Sequence, residues 1–391
     1  MKAVLASLGT SGDFEPMLAL AIGLRNRGHR PVLANSPDFA ERARKNGIPF
    51  LPVGPPLARL GLTKCLETIL ALASPLEQAA AMLGCIVPFV PQMVDELDTA
   101  CADADVLVCL PFQVAGYMSH ERTGIPYVAW SFSPFGEMAG RQLAQATREM
   151  INASRRKVGL PARLEPFADA TGRSRLALFA TSSHVFRRPR RWPAHYHLTG
   201  YFFVDEPWQP DAGLSRFLES GPPPIVVTFG SMRHPDSTRI SGLVLDAIER
   251  VGCRAIVQSG WSGLSEITHS PTVHHATGFI PHGWLFQHAA CIVHHGAAGT
   301  TAAALRAGVR SVIVPHALDQ SLWAALMQGC GAAASVIPLA QLSADRLAAA
   351  IDDALSSRHD GRLSRLSAHI RDEDGVGRAI ELLECPVRAD S

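Results

Sequence analysis

Short apolar runs alternate with stretches of helical period along almost the whole chain. Residues 3–8 read as a strand, and the loop Gly9-Thr-Ser-Gly-Asp13 follows it. Over 16–27, Met17, Leu18, Leu20, Ala21 and Leu24 recur at the spacing of one helix face. Gly28-His29 ends that helix, and 31–35 is the next strand. Apolar runs at 105–110, 126–132, 176–180 and 196–200 continue the alternation. Continuously apolar strands separated by helices predict a parallel sheet covered on both faces. Residues 57–100 depart from this rhythm. They are helical in pattern with proline interruptions, an insertion suited to shaping a binding surface.

The texture changes near 204–224. Asp205-Glu-Pro-Trp-Gln-Pro-Asp211 and Gly221-Pro-Pro-Pro224 bracket a short helical segment at 214–219, and proline at this density marks a linker. A second alternation then begins: strand 225–229, helix 240–250, strands 254–258, 272–279 and 291–294, helix 300–307 and strand 311–315. The expected organisation is an α/β protein of two Rossmann-like, doubly wound domains. Residues 1–205 form the first, 206–223 the linker and 224–370 the second. An amphipathic helix within 371–391 packs back on the first domain.

Composition narrows the function. The 36 Lys and Arg nearly balance 35 Asp and Glu, for a net charge of +1, so no global field recruits nucleic acid or an anionic membrane. Apolar residues at 47% and charged residues at 18% describe a chain with large cores and exclude a disordered one. The eight cysteines include no CxxC pair and several lie in apolar runs, which points to buried thiols in a reducing compartment and against a disulfide framework. The N-terminus reads as a first strand and not a signal peptide. No uncharged stretch of about 18 apolar residues is present, so no membrane span and a cytoplasmic location are expected.

Four blocks could carry chemistry. Asp13, after the first strand, is either the cap and dipole partner of the following helix or a general base. Val227-Thr-Phe-Gly-Ser-Met232 opens the second half with a Gly-Ser turn suited to a phosphate, and equally to a plain turn. The richest block is His294-His-Gly-Ala-Ala-Gly-Thr300. There a strand ends in two histidines, Gly296 and Gly299 permit close backbone approach, and a helix N-terminus follows. Adjacent histidines on a strand point apart and have no carboxylate at ligand spacing, so no metal site is expected. Finally, Asp319-Gln320 lies 25 residues after His294, one helix plus one strand. That spacing brings a carboxylate and an amide to the neighbouring strand end, next to the anion loop, apt for sugar hydroxyls.

These blocks, with Leu8-Gly-Thr-Ser-Gly-Asp-Phe-Glu-Pro16, Phe279-Ile-Pro-His282 and Trp284-Leu-Phe286, resemble the GT-B glycosyltransferases of the UDP-sugar transferase family. The resemblance is greatest to the bacterial branch that decorates natural products, glycopeptides, sterols and lipids. It implies two domains facing a cleft. It places the donor diphosphate at His294, Gly296, Gly299 and Thr300, with Ser231 as a second contact. The nucleobase falls at Phe279 and the Ile280 backbone, the sugar hydroxyls at Asp319 and Gln320, and the catalytic base at Asp13. Many plant relatives have a histidine at the base position. An ordinary aspartate, with a pKa of about 3.9, is a weak base for an alcohol and must act late in the attack.

The resemblance further implies an inverting, metal-independent transfer to a hydroxyl of a hydrophobic small molecule. The donor is a UDP- or dTDP-sugar used as co-substrate, without a separate cofactor. The chain is a monomer or homodimer that binds no nucleic acid. Leu70, Leu72, Met82, Leu83, Phe89, Phe135 and Met138 supply an apolar acceptor surface. The alternatives are a nucleotide-sugar epimerase of the same fold and a non-catalytic homologue partnering another transferase. Arg155-Arg-Lys157 and the arginines at 187, 188, 190 and 191 read as solvated faces. Trp130, Trp261 and Trp284 read as core or cleft wall, and His275 and His282 as surface or strand-end residues.

Overall fold

The computed structural model describes residues 1–230, 236–258, 271–276, 278–356 and 361–385. They divide into two compact units: Met1–Val204 with the chain from Glu373 onward, and Asp205–Asp372. The first is built on strands β1 Lys2–Ala6, β2 Arg30–Asn35, β3 Phe50–Pro52, β4 Val106–Cys109, β5 Tyr127–Ser131, β6 Leu176–Phe179 and β7 Tyr196–Leu198. They lie in the order β3-β2-β1-β4-β5-β6-β7, every pair parallel. The second holds β8 Ile225–Thr228, β9 Ala255–Gln258, β10 Val273–Ala276, β11 Cys291–His294, β12 Ser311–Ile313 and β13 Ala333–Val336. Their order is β10-β9-β8-β11-β12-β13, again parallel throughout. Both orders are doubly wound, so the expected fold class of two Rossmann-like units holds. The winding reverses between β1 and β4 in one sheet and between β8 and β11 in the other.

The cores follow from strand composition. In the second unit Ile225, Val227, Val293 and Val312 pack with Val244, Ile248, Leu347 and Ile351 from helices Ser237–Val251 and Ala344–Ser356. Each such side chain contributes about 1.5–3 kcal/mol when withdrawn from water. In the first unit the returning helix Gly375–Glu384 packs on helix Ser11–Asn26. Its Ala379 and Ile380 are buried, and Glu384 accepts from Arg27 and lies 2.8 Å from His29 Nε2.

Three features differ from the sequence reading. The first long helix starts at Ser11 and not at Pro16, because Thr10 caps it and Pro16 is accommodated inside. Cys65 and Cys85 are disulfide-bonded, since helices Leu62–Ala71 and Pro75–Ile86 form a hairpin that brings their Cα atoms to 6.7 Å. Helices Pro75–Ile86 and Val90–Cys101, joined through the 3-10 turn Val87–Phe89, make one run long and apolar enough to cross a membrane by length and composition. In this unit the run packs on helix Phe135–Lys157.

In the basic cluster at 155–157 Arg156 and Lys157 are exposed, as expected of a solvated face, but Arg155 is not. The Arg155 side chain is 1% exposed and pairs with Glu121, which is shared with Arg163. Arg155 Nε donates to the Pro161 carbonyl at 2.8 Å, and Arg163 continues the chain to Asp169 at 3.2 Å. Burial acts to raise the Glu121 pKa, but hydrogen bonds from Arg155 and Arg163 prevail and hold it below the usual range. Its contribution is therefore complete above the ordinary carboxylate pKa and lost as pH falls through the lowered one. Glu121→Gln strands a buried guanidinium and should cost about 3–5 kcal/mol. Urea denaturation of both proteins at pH 7 checks this, and a loss below about 1 kcal/mol would show the pair to be dispensable.

Candidate functional site

In the second unit the loops leaving β8, β11 and β12 share one edge of the sheet, because adjacent parallel strands end together: His294 pairs with Thr228 on one side and Ile313 on the other. After β11 the chain turns at Gly296, whose φ is +87°. A β-carbon there would come within 3.0 Å of Ile313 Cγ2 and 3.1 Å of the Gln320 carbonyl oxygen. Glycine is thus what lets the His294 turn and the Asp319-Gln320 turn touch.

Helix Ala298–Ala307 begins at that turn with Ala297 as its N-cap and no side-chain cap. Its first amides carry the positive end of the dipole and are offered to an external anion. Gly299 and Thr300 lie in this first turn, and Thr300 is buried. His294 is fully buried beside it. Its Nδ1 accepts the Gly296 amide at 3.1 Å, which leaves the proton on Nε2. That nitrogen is buried and has no hydrogen-bond partner among the described residues. Burial, with His282 as a second cause, pushes His294 down to about 3. Burial followed by His294 and His282 pushes His295 down to about 3 as well. Both imidazoles are therefore neutral at physiological pH and act as dipolar donors, not cations.

Asp319 and Gln320 begin helix Gln320–Gly329, and each is held locally. Asp319 Oδ2 accepts the indole N–H of Trp323 at 2.8 Å. Gln320 Oε1 accepts the amides of His316 at 2.7 Å and Ala317 at 3.1 Å. Just ahead of Asp319, Leu318 has φ of +58°, the one non-glycine in the left-handed region among the described residues. Strain of this kind persists only where surrounding structure enforces it, and here it clusters with the candidate site. The His316 ring lies 5.0 Å from Phe229 and 6.2 Å from His295, linking the three strand ends.

Ile280 is buried and its carbonyl accepts from Gln258 Nε2 at 3.2 Å, while Phe279 beside it is 60% exposed. Gln258 Oε1 in turn lies 3.2 Å from His282 Nε2. The His282 ring stacks on Phe286 at 4.6 Å, and enclosure pushes its pKa down to about 4. His282 is thus an organising residue, not a surface one. Gln258 was hidden from sequence reading because it looks like the polar end of an ordinary strand. Ser231 lies outside the described residues, as does Trp261. Trp130 is core and Trp284 packs on Trp208 at 4.7 Å.

In the first unit the corresponding edge carries Asp13, at the third position of helix Ser11–Asn26. Its Oδ2 accepts the Thr10 amide at 2.8 Å in a reciprocal capping box. The Asp13 carbonyl accepts from Ser7 Oγ, which is itself held by Asn35 Nδ2 at 2.7 Å. Gly9 makes room for the carboxylate, since a β-carbon there would lie 2.1 Å from Oδ2. Capping and chemistry do not exclude each other, because a carboxylate accepts through two oxygens. Among the apolar candidates Leu83 is core, Leu70, Leu72, Met82, Phe89 and Phe135 are part-exposed, and the Met138 side chain lies outside the described residues.

Comparison with known proteins agrees with this layout. Residues 3–136 match the glycosyltransferase family 28 N-terminal domain, and residues 242–376 match the C-terminal domain of erythromycin biosynthesis protein CIII-like proteins. The chain is 28% identical to the O-mycaminosyltylonolide 6-deoxyallosyltransferase of Streptomyces fradiae over 98% of its own length and 97% of the relative's. It is also 28% identical to a sterol 3-beta-glucosyltransferase of Arabidopsis thaliana, where it covers 97% of itself but 65% of the plant protein. The solved glycosyltransferase VinC, in complex with dTDP, superposes at a TM-score of 0.72 with 19% identity over 98% of both chains. Two doubly wound sheets, an uncapped helix beside the Asp319-Gln320 turn, and matches to a glycosyltransferase family 28 N-terminal domain and to glycosyltransferases along the whole chain lead to one assignment: the chain is a glycosyltransferase of the GT-B fold.

Proposed function

We propose that the protein is an inverting, metal-independent transferase that moves a sugar from a UDP- or dTDP-sugar to a hydroxyl of a hydrophobic acceptor, a sterol, macrolide or similar lipid-like natural product. The observation that carries the reading is the His294 turn. A buried imidazole N–H without a partner among the described residues stands beside uncapped helix amides, and Gly296 brings Gln320 against them. Such a constellation binds the diphosphate and the sugar of one molecule. The relatives that act on sterols and macrolides support the acceptor class.

In this mechanism the second unit holds the donor. His294 Nε2–H and the amides of Gly299 and Thr300 receive diphosphate oxygens, with Ser231 as a further contact, while the Gly296 amide holds the His294 tautomer by donating to Nδ1. As the anomeric C–O bond breaks, negative charge grows on the leaving diphosphate, and these fixed dipoles stabilise it without reorganising. Asp319 accepts from sugar hydroxyls and Gln320 donates to them. Phe279 stacks on the nucleobase, and the Ile280 backbone reads its edge.

The first unit holds the acceptor, with Asp13 receiving its hydroxyl proton. The acceptor oxygen attacks the anomeric carbon from the face opposite the diphosphate, so configuration inverts. An aspartate takes the proton only once the developing C–O bond has acidified it, so proton transfer lags attack.

Asp13→Asn keeps an amide oxygen that can accept the Thr10 N–H in the capping box, and removes the base. Transfer should fall at least about a hundredfold while dTDP and UDP affinities stay within twofold. Product formation by mass spectrometry and calorimetric titration of the nucleotides read the two effects, and wild-type turnover by the variant would remove Asp13 from the base role.

Because His294 and His295 titrate near 3, nucleotide affinity should show no histidine titration between pH 6.5 and 8.5. Below that range only the terminal phosphate of the nucleotide, with a pKa near 6, should contribute. A fall in affinity centred on pH 6.5–7 with a nucleotide sugar, which lacks that terminal ionisation, would instead require a protonated histidine.

A further inference from the structure

Gln113 lies in the turn that follows β4, just ahead of helix Ala115–Thr123, and is 1% exposed. Most of its hydrogen-bonding capacity is spent. Its amide donates to the Leu110 carbonyl at 2.8 Å, its carbonyl accepts from Gly116 at 2.9 Å, and Oε1 accepts from Cys109 Sγ at 3.3 Å. The exception is Nε2. Its two N–H donors are buried and have no hydrogen-bond partner among the described residues. A donor left so costs about 1–3 kcal/mol, a penalty that a binding partner removes.

Its position says what that partner is. Ala6, the last residue of β1, pairs with Cys109 of β4, and Leu110 donates to the Ala6 carbonyl at 3.1 Å. The turn carrying Gln113 and the loop leading to Asp13 therefore leave the sheet side by side, at the reversal of winding where ligands of doubly wound sheets sit. We propose that Gln113 is an acceptor-binding residue: Nε2 donates to an oxygen of the acceptor and fixes the orientation in which its hydroxyl meets Asp13. This rests on the assignment of the first unit to the acceptor. It also specifies the ligand, since an apolar molecule must present an oxygen lone pair to that donor as well as a hydroxyl to the base.

The test uses Gln113→Met, of similar size and without the donor, in the full-length chain. The variant removes an unmade donor and loses only a weak thiol bond to Oε1, which the Leu110 carbonyl at 3.5 Å from Cys109 Sγ can replace. Its thermal midpoint should therefore equal or exceed that of the wild type, whereas a structural role for the amide would lower it. Ergosterol and a macrolide aglycone serve as acceptor probes, with binding followed by titration and transfer by mass spectrometry. Acceptor Kd and KM should rise about tenfold or more, with dTDP and UDP affinity unchanged. Equal acceptor binding by the two proteins overturns the role of Gln113, as does a lowered midpoint accompanied by loss of nucleotide binding. If the wild type binds a probe but makes no glycoside, the proposed transfer fails while the binding comparison still judges Gln113. Binding of neither probe by either protein overturns both.

Discussion

In an all-parallel sheet each strand must be followed by a crossover, so all carboxyl ends gather on one edge. Where the winding reverses, the crossovers on either side go to opposite faces and the two loops part. This geometric necessity governs both units here. It puts the loops to Asp13 and Gln113 beside each other after β1 and β4, and the Gly230 and His294 turns beside each other after β8 and β11. Turns 64 and 100 positions apart in the chain leave the sheets side by side because of how strands wind, and the candidate chemistry lies at both reversals.

Given that frame, the second unit, in the proposed reading, handles an anion without cations. The turn at 294–300 contains no Lys or Arg. It offers helix amides and imidazoles that burial keeps neutral. A neutral, buried donor is a weaker attractor than an arginine at long range, which suits a small diphosphate and not a polyanion. The net charge of +1 fits the same logic. The accompanying cost is visible in His294 Nε2, which has no partner among the described residues, and in the left-handed Leu318, features that lower stability.

Much of this was legible in the chain. Buried parallel strands read as continuous apolar runs, so Val106–Cys109 and Cys291–His294 stood out. The glycines and histidines of the anion turn were visible for the same local reason. The edge strands Phe50–Pro52 and Ala333–Val336 were not, being short and carrying little apolar contrast. The sequence places the start of helix Ser11–Asn26 too late, because Pro16 mimics a first-turn proline, although the capping role of Asp13 is legible in it. Arg155 was misread because its partner Glu121 sits 34 residues upstream, and the Cys65–Cys85 pair because a hairpin of helices closes it.

The sequence by itself determined the alternation of strand and helix, the two-unit plan and the residue types at each strand end. Periodicity, glycine placement and strand-to-helix transitions are local properties, and local sterics and burial enforce them. Only the tertiary structure decided which polar atoms are already satisfied. Gln320 Oε1 and Gln258 are committed to the protein, whereas His294 Nε2 and Gln113 Nε2 have no partner among the described residues. That distinction depends on partners brought together across strands. It separates residues that hold the site from those that wait for a ligand, and no one-dimensional pattern records it.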